Sequence, residues 1–279
     1  MFKYFDMKKT VKLVSLVSIL CFTVLFSSCS KDNTSSPEPI ATPEPTQTPA
    51  AVDRRETFTF SYNGISIMGK IFLPSEYENN KNLPAVYLFD FPEQISGLNP
   101  NFHVATDEFD KVIGAIKNIK LNALVITMNE YKTNEMILPR DYQEYSDIFK
   151  SMTSYVDGRY TSNTSRTFIA RGNEANMVLM TLFFEEPEAS VFQNFIATDA
   201  LHVGDMQAML ETEDVPLENE DKKLHYSNTD EARNAAVINA IIELELPWLE
   251  FESVTYPNMT FENGYPTAFA DGIKYIFED

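Results

Sequence analysis

Apolar and polar positions alternate in a way that divides most of the chain into short strands and amphipathic helices. Residues 57–63 (TFTFSYN) and 65–73 (ISIMGKIFL) are apolar runs joined by Asn63-Gly64, a dipeptide suited to the positive φ angles of a tight hairpin turn. Residues 84–91 (PAVYLFDF) and 121–128 (LNALVITM) are continuous apolar runs of strand length, the pattern of a sheet covered on both faces. Between them Phe109, Val112, Ile113 and Ile116 recur at helical spacing, which predicts a helix over 106–119. Tyr145, Ile148, Phe149, Met152 and Tyr155 predict a second over 141–156. Further strands are expected at 166–170, 195–198, 222–227 and 249–256, and further helices at 174–186, 230–246 and 266–277. Asn228-Thr229 would cap the helix at 230–246, and Pro247 would close it. Such alternation implies an α/β fold: a doubly wound, mostly parallel sheet with an N-terminal antiparallel hairpin. Residues 199–221 are the least regular part, and no internal repeat is present.

The first 53 residues follow different rules. Lys8, Lys9 and Lys12 accompany an apolar stretch from Val11 to Phe26, followed by Ser27, Ser28 and Cys29. A charged start, an apolar middle and a small-residue exit predict that residues 1–28 are a secretory signal removed on export. A spanning helix needs a longer apolar run, of about 20 residues. Phe26-Ser27-Ser28-Cys29 resembles the lipobox of bacterial lipoproteins, with Leu25 one place before the usual aliphatic position. That resemblance implies cleavage before Cys29, acylation of its sulfur and new amino group, and attachment to a membrane of the bacterial cell envelope, with the face left open. Cys21 and Cys29 are the two cysteines, so a chain beginning at Cys29 has no internal disulfide and no cysteine metal site. Residues 29–53 contain five Pro among Ser, Thr and Glu and read as an extended, solvated tether. The remaining 54–279 would be the folded domain.

Composition narrows the function. The 279 residues carry 22 Lys and Arg against 41 Asp and Glu, a formal net charge of −19. Four Lys lie within the first 28 residues, so the exported part is more acidic still. This argues against nucleic-acid binding, which needs clustered basic residues, and against electrostatic adsorption to anionic lipid. At 44% hydrophobic and 13% aromatic the chain is too apolar to be disordered throughout. Residues 211–221 hold six acidic residues and no basic one, but lack the Asp/Asn-Gly spacing of a calcium loop and read as a solvated acidic insert. No metal or cofactor motif is found. Glu185-Glu186 and Asp107/Asp110 read as solvated helix faces.

Several segments carry a family resemblance in order. LPSEYENNKNLPAVYLFD (73–90) resembles the entry to esterases of the esterase D and enterochelin-esterase group, α/β-hydrolases that include feruloyl and acetyl-xylan esterases. SYVDGRYTSNTSRTFIARG (154–172) is similar to that family's segment leading into the nucleophile elbow, VFQNFIATDA (191–200) to the following strand, and YPTAFADGIKYIF (265–277) to the C-terminal helix. The resemblance implies an acyl-transfer triad in the order Ser, Asp or Glu, His, with the Ser in Gly-X-Ser-X-Gly.

The positions that match those motifs hold other residues. Arg171-Gly172-Asn173-Glu174-Ala175 stands at the elbow, which places Asn173 at the Ser position, and an amide cannot form an acyl-enzyme as a serine does. Met259 stands on or beside the His position, in Tyr256-Pro257-Asn258-Met259-Thr260. Glu231 or Asp230 stands where the acid belongs, and reads more simply as a carboxylate favoured at a helix N-terminus. Phe91 and Pro92 follow Asp90 where the family has a Gly that helps form the oxyanion hole, and Pro92 has no N–H to give. His103, His202 and His225 are the only histidines and read as structural or exposed.

Three functions remain open from sequence. One is a lipid-anchored binding module with no catalysis, taking a carbohydrate or glycoconjugate in a cleft of Phe91, Arg171, Asn173 and Glu174. Another is a hydrolase with a rearranged site, using Ser165 or Thr198 with His202 as base. The last is a structural or interaction subunit of a surface complex, binding protein through that cleft or the acidic insert. The backbone reading is sharper. Asn173 is expected at the tip of a strained turn with positive φ, since Asn tolerates that region. The alternative gives Gly172 the positive φ and makes Asn173 a helix N-cap, its side chain bonding the N–H of Ala175 or Asn176.

Overall fold

The computed structural model describes residues 52–90, 107–128, 142–212 and 214–278. Eight strands form one sheet in the order β1-β2-β4-β3-β5-β6-β7-β8. Strands β1 (Arg54–Tyr62) and β2 (Ile65–Leu73) form the antiparallel hairpin. Its turn has φ +48° at Asn63 and +78° at Gly64, the paired positive angles that match the twist of a two-residue hairpin. Strand β2 runs antiparallel to β4 (Leu124–Met128). All later pairings are parallel: β3 (Ala85–Phe89), β5 (Arg166–Arg171), β6 (Asn194–Thr198), β7 (Lys222–Asn228) and β8 (Leu249–Thr255).

The two-residue period of a strand explains why the sheet is apolar on both faces. In β5, Phe168 and Ala170 face one core and Ile169 faces the other. Helices α1 (Glu108–Asn118) and α6 (Phe261–Phe277) cover one face, where Val112, Ile116, Phe269 and Ile273 pack on Val86, Val125, Ile169 and Ile196. Helices α2 (Tyr142–Asp157), α3 (Gly172–Phe184), α4 (Val203–Thr212) and α5 (Glu231–Glu243) contribute to the other core. There Phe168 lies between Phe149 and Phe192, with ring centroids 4.6 and 4.7 Å away.

The expected strands and helices are present; α5 ends at Glu243, short of Pro247, and four other differences have local causes. Helix α3 starts at Gly172, two residues early, because the chain reverses within that one residue. Helix α6 starts at Phe261 and not at 266, because Thr260 and Asn263 close a capping box, which carries Pro266 inside the first turns. Helix α5 is capped by Asp230, whose Oδ1 accepts the N–H of Arg233 at 3.1 Å, and not by Asn228-Thr229. Thr229 is engaged elsewhere: its N–H and hydroxyl both donate to Asp199 Oδ1. Finally, the irregular 199–221 segment contains α4.

His225 lies within β7 at 0% exposure, with no hydrogen-bond partner on either ring nitrogen. Gly272 of α6 leaves it room, since a Cβ there would stand 3.0 Å from Nδ1. Its charged neighbours are Glu252, with Oε2 3.7 Å from Nε2, and Asp271, and the Tyr275 ring lies beside it. Burial pushes its pKa down to about 4 despite the pull of Asp271. The folded state therefore keeps His225 neutral while the unfolded chain protonates it near 6.5. Its contribution is complete above that pH and declines as pH falls toward 4, by up to about 3 kcal/mol. His225→Leu should flatten the fall in denaturation midpoint between pH 6.5 and 4, and an unchanged slope would refute the assignment.

Candidate functional site

The carboxyl end of β5 and the start of α3 hold Arg171, Asn173 and Glu174, three of the residues singled out by sequence. Strand β5 ends at Arg171 and α3 begins at once. Gly172 makes the reversal with φ +64°, while Arg171 stays extended at φ −127°. Asn173 is not among the positive-φ residues. The expectation that Asn173 forms the strained tip is therefore corrected: the tip is Gly172, one residue earlier. A Cβ is disfavoured in this conformation, and glycine adopts it at no steric cost. Asn173 is not a plain cap either. It sits in the first turn of α3, its Oδ1 is buried without a hydrogen-bond partner, and its main-chain carbonyl accepts the Asn176 side-chain amide at 3.0 Å.

Around this turn the space is filled from α6. A Cβ on Gly172 would stand 3.1 Å from the Phe261 ring and 4.0 Å from Glu174 Oε2. Arg171 extends across the same region. Its guanidinium lies 4.5 Å from the ring centroid of Phe261 and 4.3 Å from that of Tyr265. It donates to the Phe261 carbonyl at 3.1 Å and pairs through Nε with Glu108. Tyr265 donates its hydroxyl to Asp107, which also pairs with Lys111 at 3.4 Å. One arginine thus joins the elbow to the first residue of α1 and the first turn of α6.

Glu108 is 4% exposed. Burial, with Asp90 and then Glu174 nearby, outweighs the attraction of Arg171 and raises its pKa to about 8. At the end of β6, Asp199 takes φ +48° and is 6% exposed. Its Oδ1 accepts two bonds from Thr229, while Oδ2 has no hydrogen-bond partner. Burial also raises its pKa, against those bonds and the charges of Arg171 and Arg233.

The remaining sequence candidates separate. Met259 lies between β8 and α6, its N–H bonded to the Tyr256 carbonyl at 3.1 Å and its side chain packed on Gly264. Glu231 is the exposed first residue of α5, and Asp230 acts as that helix's cap. Ser165 precedes β5 at its amino end, whereas His202 follows the carboxyl end of β6, so these two do not meet. Thr198 is buried, its hydroxyl 2.9 Å from that of Ser227. His202 Nδ1 lies 3.8 Å from Asp205. Phe91, Pro92, His103 and Cys29 lie outside the described residues. One reading of a solvated carboxylate needs correction. Glu185 is buried, pairs with Lys150 at 2.8 Å and accepts Ser146 Oγ at 3.0 Å, whereas Asp107 is exposed as expected and accepts the Tyr265 hydroxyl. Sequence reasoning passed over Glu108, Asp199, Phe261 and Tyr265. Their only sequence signal is position: each lies within a few residues of a predicted element's end on the site side. Among the described residues, no group of three His, Cys, Asp or Glu is placed to hold a metal ion.

No family model matches the sequence, and no curated protein does. Solved structures do match. An IroE-like serine hydrolase from Shewanella oneidensis superposes with a TM-score of 0.61 at 13% identity, over 81% of this chain and 80% of that one. The siderophore hydrolase EstA from Aspergillus nidulans gives 0.56 at 12% identity, over 84% and 97%. A mutant feruloyl esterase module from Clostridium thermocellum gives 0.54 at 16% identity, over 83% and 90%. The chain therefore has the α/β-hydrolase fold of these esterases, and the turn at Gly172 is its elbow between strand and helix.

The raised pKa of Glu108 has a testable sign. The folded state holds the proton up to about 8 while the unfolded state releases it near 4.5. This group's contribution is therefore full below 4.5 and is lost as pH rises to 8. Between pH 5 and 9, wild type should lose more stability than Glu108→Gln, and Arg171→Met should steepen the loss by removing the one attraction for the carboxylate. Parallel pH profiles for wild type and Glu108→Gln would contradict this picture.

Proposed function

We propose that this chain is a lipid-anchored, esterase-like protein that has lost serine-hydrolase catalysis and serves as a ligand-binding module in the bacterial cell envelope. The observation that carries the reading is the residue at the strained tip of the elbow. Gly172 has no side chain, so the place where an α/β-hydrolase presents its nucleophile offers none. Two further features support it. Met259 precedes α6 where the family carries its base, and the Phe261 ring lies where a side chain on residue 172 would project.

The ligand we assign to the old cleft is a carbohydrate or glycoconjugate. The elbow presents the half-buried Glu174 carboxylate beside the half-buried ring of Phe261. Sugar hydroxyls donate to such an acceptor, and an aromatic face accepts the apolar side of a sugar ring. Attachment through Cys29 rests on the lipobox resemblance and the signal-like residues before it.

The purified protein should hydrolyse short acyl and feruloyl esters no faster than background. Gly172→Ser with Met259→His should add little, because the new Cβ meets Phe261 in a conformation that resists a side chain; Asn173→Ser with Met259→His should add little too, because residue 173 lies one place past the strained turn. Turnover by wild type that is abolished by one cleft substitution would overturn the reading. Specific glycan binding on an array, weakened by Phe261→Ala, would support the ligand class, whereas capture of a protein partner through the same face would replace it. For the anchor, intact mass of the mature protein should show cleavage before Cys29 and added acyl chains. An unmodified Cys29 would refute that part alone.

A further inference from the structure

We infer that a cavity at the end of the sheet opposite the elbow binds a short zwitterionic peptide, with its carboxylate at Lys120 and its ammonium at Glu76. This second site stands apart from the elbow and does not depend on the ligand or the anchor proposed above.

Three segments meet at the cavity: Asp53 before β1, the turn after β2, and the residues that link α1 to β4. They enclose about 350 Å³, within the usual range of small-ligand sites, about 300–1,000 Å³. Leu73 ends β2, and Asn122 lies two residues before β4. Because β4, β3 and β5 run parallel, the cavity sits at the amino ends of these strands, and the elbow at the carboxyl end of β5.

The end of α1 sets the position of Lys120. The N–H of Lys120 donates to the Lys117 carbonyl and that of Leu121 to the Ile116 carbonyl, both at 3.0 Å, the bond pair of a Schellman motif. Lys120 closes it with φ +56°. Glycine is the usual residue here, because a side chain is strained in this conformation. A lysine thus holds a place that backbone stability alone would give to glycine, and strain of that kind points to function.

The charges of the cavity define the ligand. Of the four that line it, Asp53 and Lys117 satisfy each other. Asp53 Oδ2 pairs with Lys117 at 2.7 Å, and its Oδ1 accepts the N–H of Ser75 at 2.8 Å. Lys117 also lies 5.2 Å from the ring centroid of Phe72. Lys120 and Glu76 are left over. Both are exposed, and neither side chain makes an ion pair or a hydrogen bond among the described residues. A simple anion drawn to Lys120 would meet Glu76, and a simple cation would meet the reverse. A cation and an anion that line one cavity without pairing are matched by a molecule with the opposite signs at its two ends. A free dipeptide is such a molecule: its carboxylate accepts from Lys120 and its ammonium donates to Glu76. Pro74 and Leu121 offer apolar surface to its side chains, and Asn122 adds an amide able to pair with the peptide group.

The test is isothermal titration calorimetry on the full-length protein with the dipeptide Ala-Leu and its doubly blocked form, N-acetyl-Ala-Leu amide. Saturable binding in the millimolar range or tighter is expected for Ala-Leu, and none for the blocked form. Lys120→Gln and Glu76→Gln should each weaken binding about tenfold or more. Lys120→Gly separates the ligand role from a structural one: it should raise the melting temperature, by relieving the backbone, while losing the binding. No saturable binding of Ala-Leu would overturn the proposal. Equal binding of the blocked peptide, or binding unchanged in these variants, would overturn it as well.

Discussion

The chain's reversal at Gly172 is the constraint from which the rest of the site follows. A parallel strand buried over its four central residues has to pass into a helix that packs back on the same sheet, and one residue at φ +64° accomplishes it. In this conformation a side chain is strained, and catalysts of this fold use that strained position to present a nucleophile. Here the residue in that conformation is a glycine, which adopts it without strain and carries no side chain. The space becomes available to α6, whose Phe261 comes within contact distance, and to Arg171, which ties the first turn of α6 to the buried end of α1. Filling the elbow from α6 and fastening α1 are thus two consequences of one small residue.

Much of the fold was legible because the two-residue period of strands and the 3.6-residue period of helices are written directly in apolar positions. The Asn63-Gly64 turn, the buried strands at 85–89 and 124–128, and the helix faces of α1 and α2 all follow that rule. Element ends were less legible. The start of α6 depends on the capping box of Thr260 and Asn263, which a proline six positions beyond Thr260 conceals. The cap of α5 shifted because Asp199, distant in sequence, claims Thr229.

The site was legible as a place but not in register. Aligning Asn173 with the nucleophile came from matching residue types to a motif, and Asn is indeed a residue that tolerates positive φ. Glycine tolerates it better, and the backbone resolves the choice at Gly172. The contact of Glu108 with Arg171 could not be read from sequence, because the two residues are 63 positions apart and the neighbouring carboxylates, Asp107 and Asp110, retain exposed side chains. Burial of Glu108 is a property of where the helix starts relative to the elbow, and no local pattern encodes it.

Loss of an activated nucleophile is the central claim, and covalent labelling tests it without knowledge of any substrate. The folded full-length protein would be treated with a fluorophosphonate serine-hydrolase probe and analysed by intact mass and peptide mapping. The account predicts no adduct above that of the heat-denatured control, at Ser165, Thr198 or any other hydroxyl. A stoichiometric adduct on one residue, formed only by the folded protein, would show that an activated nucleophile remains and would contradict it.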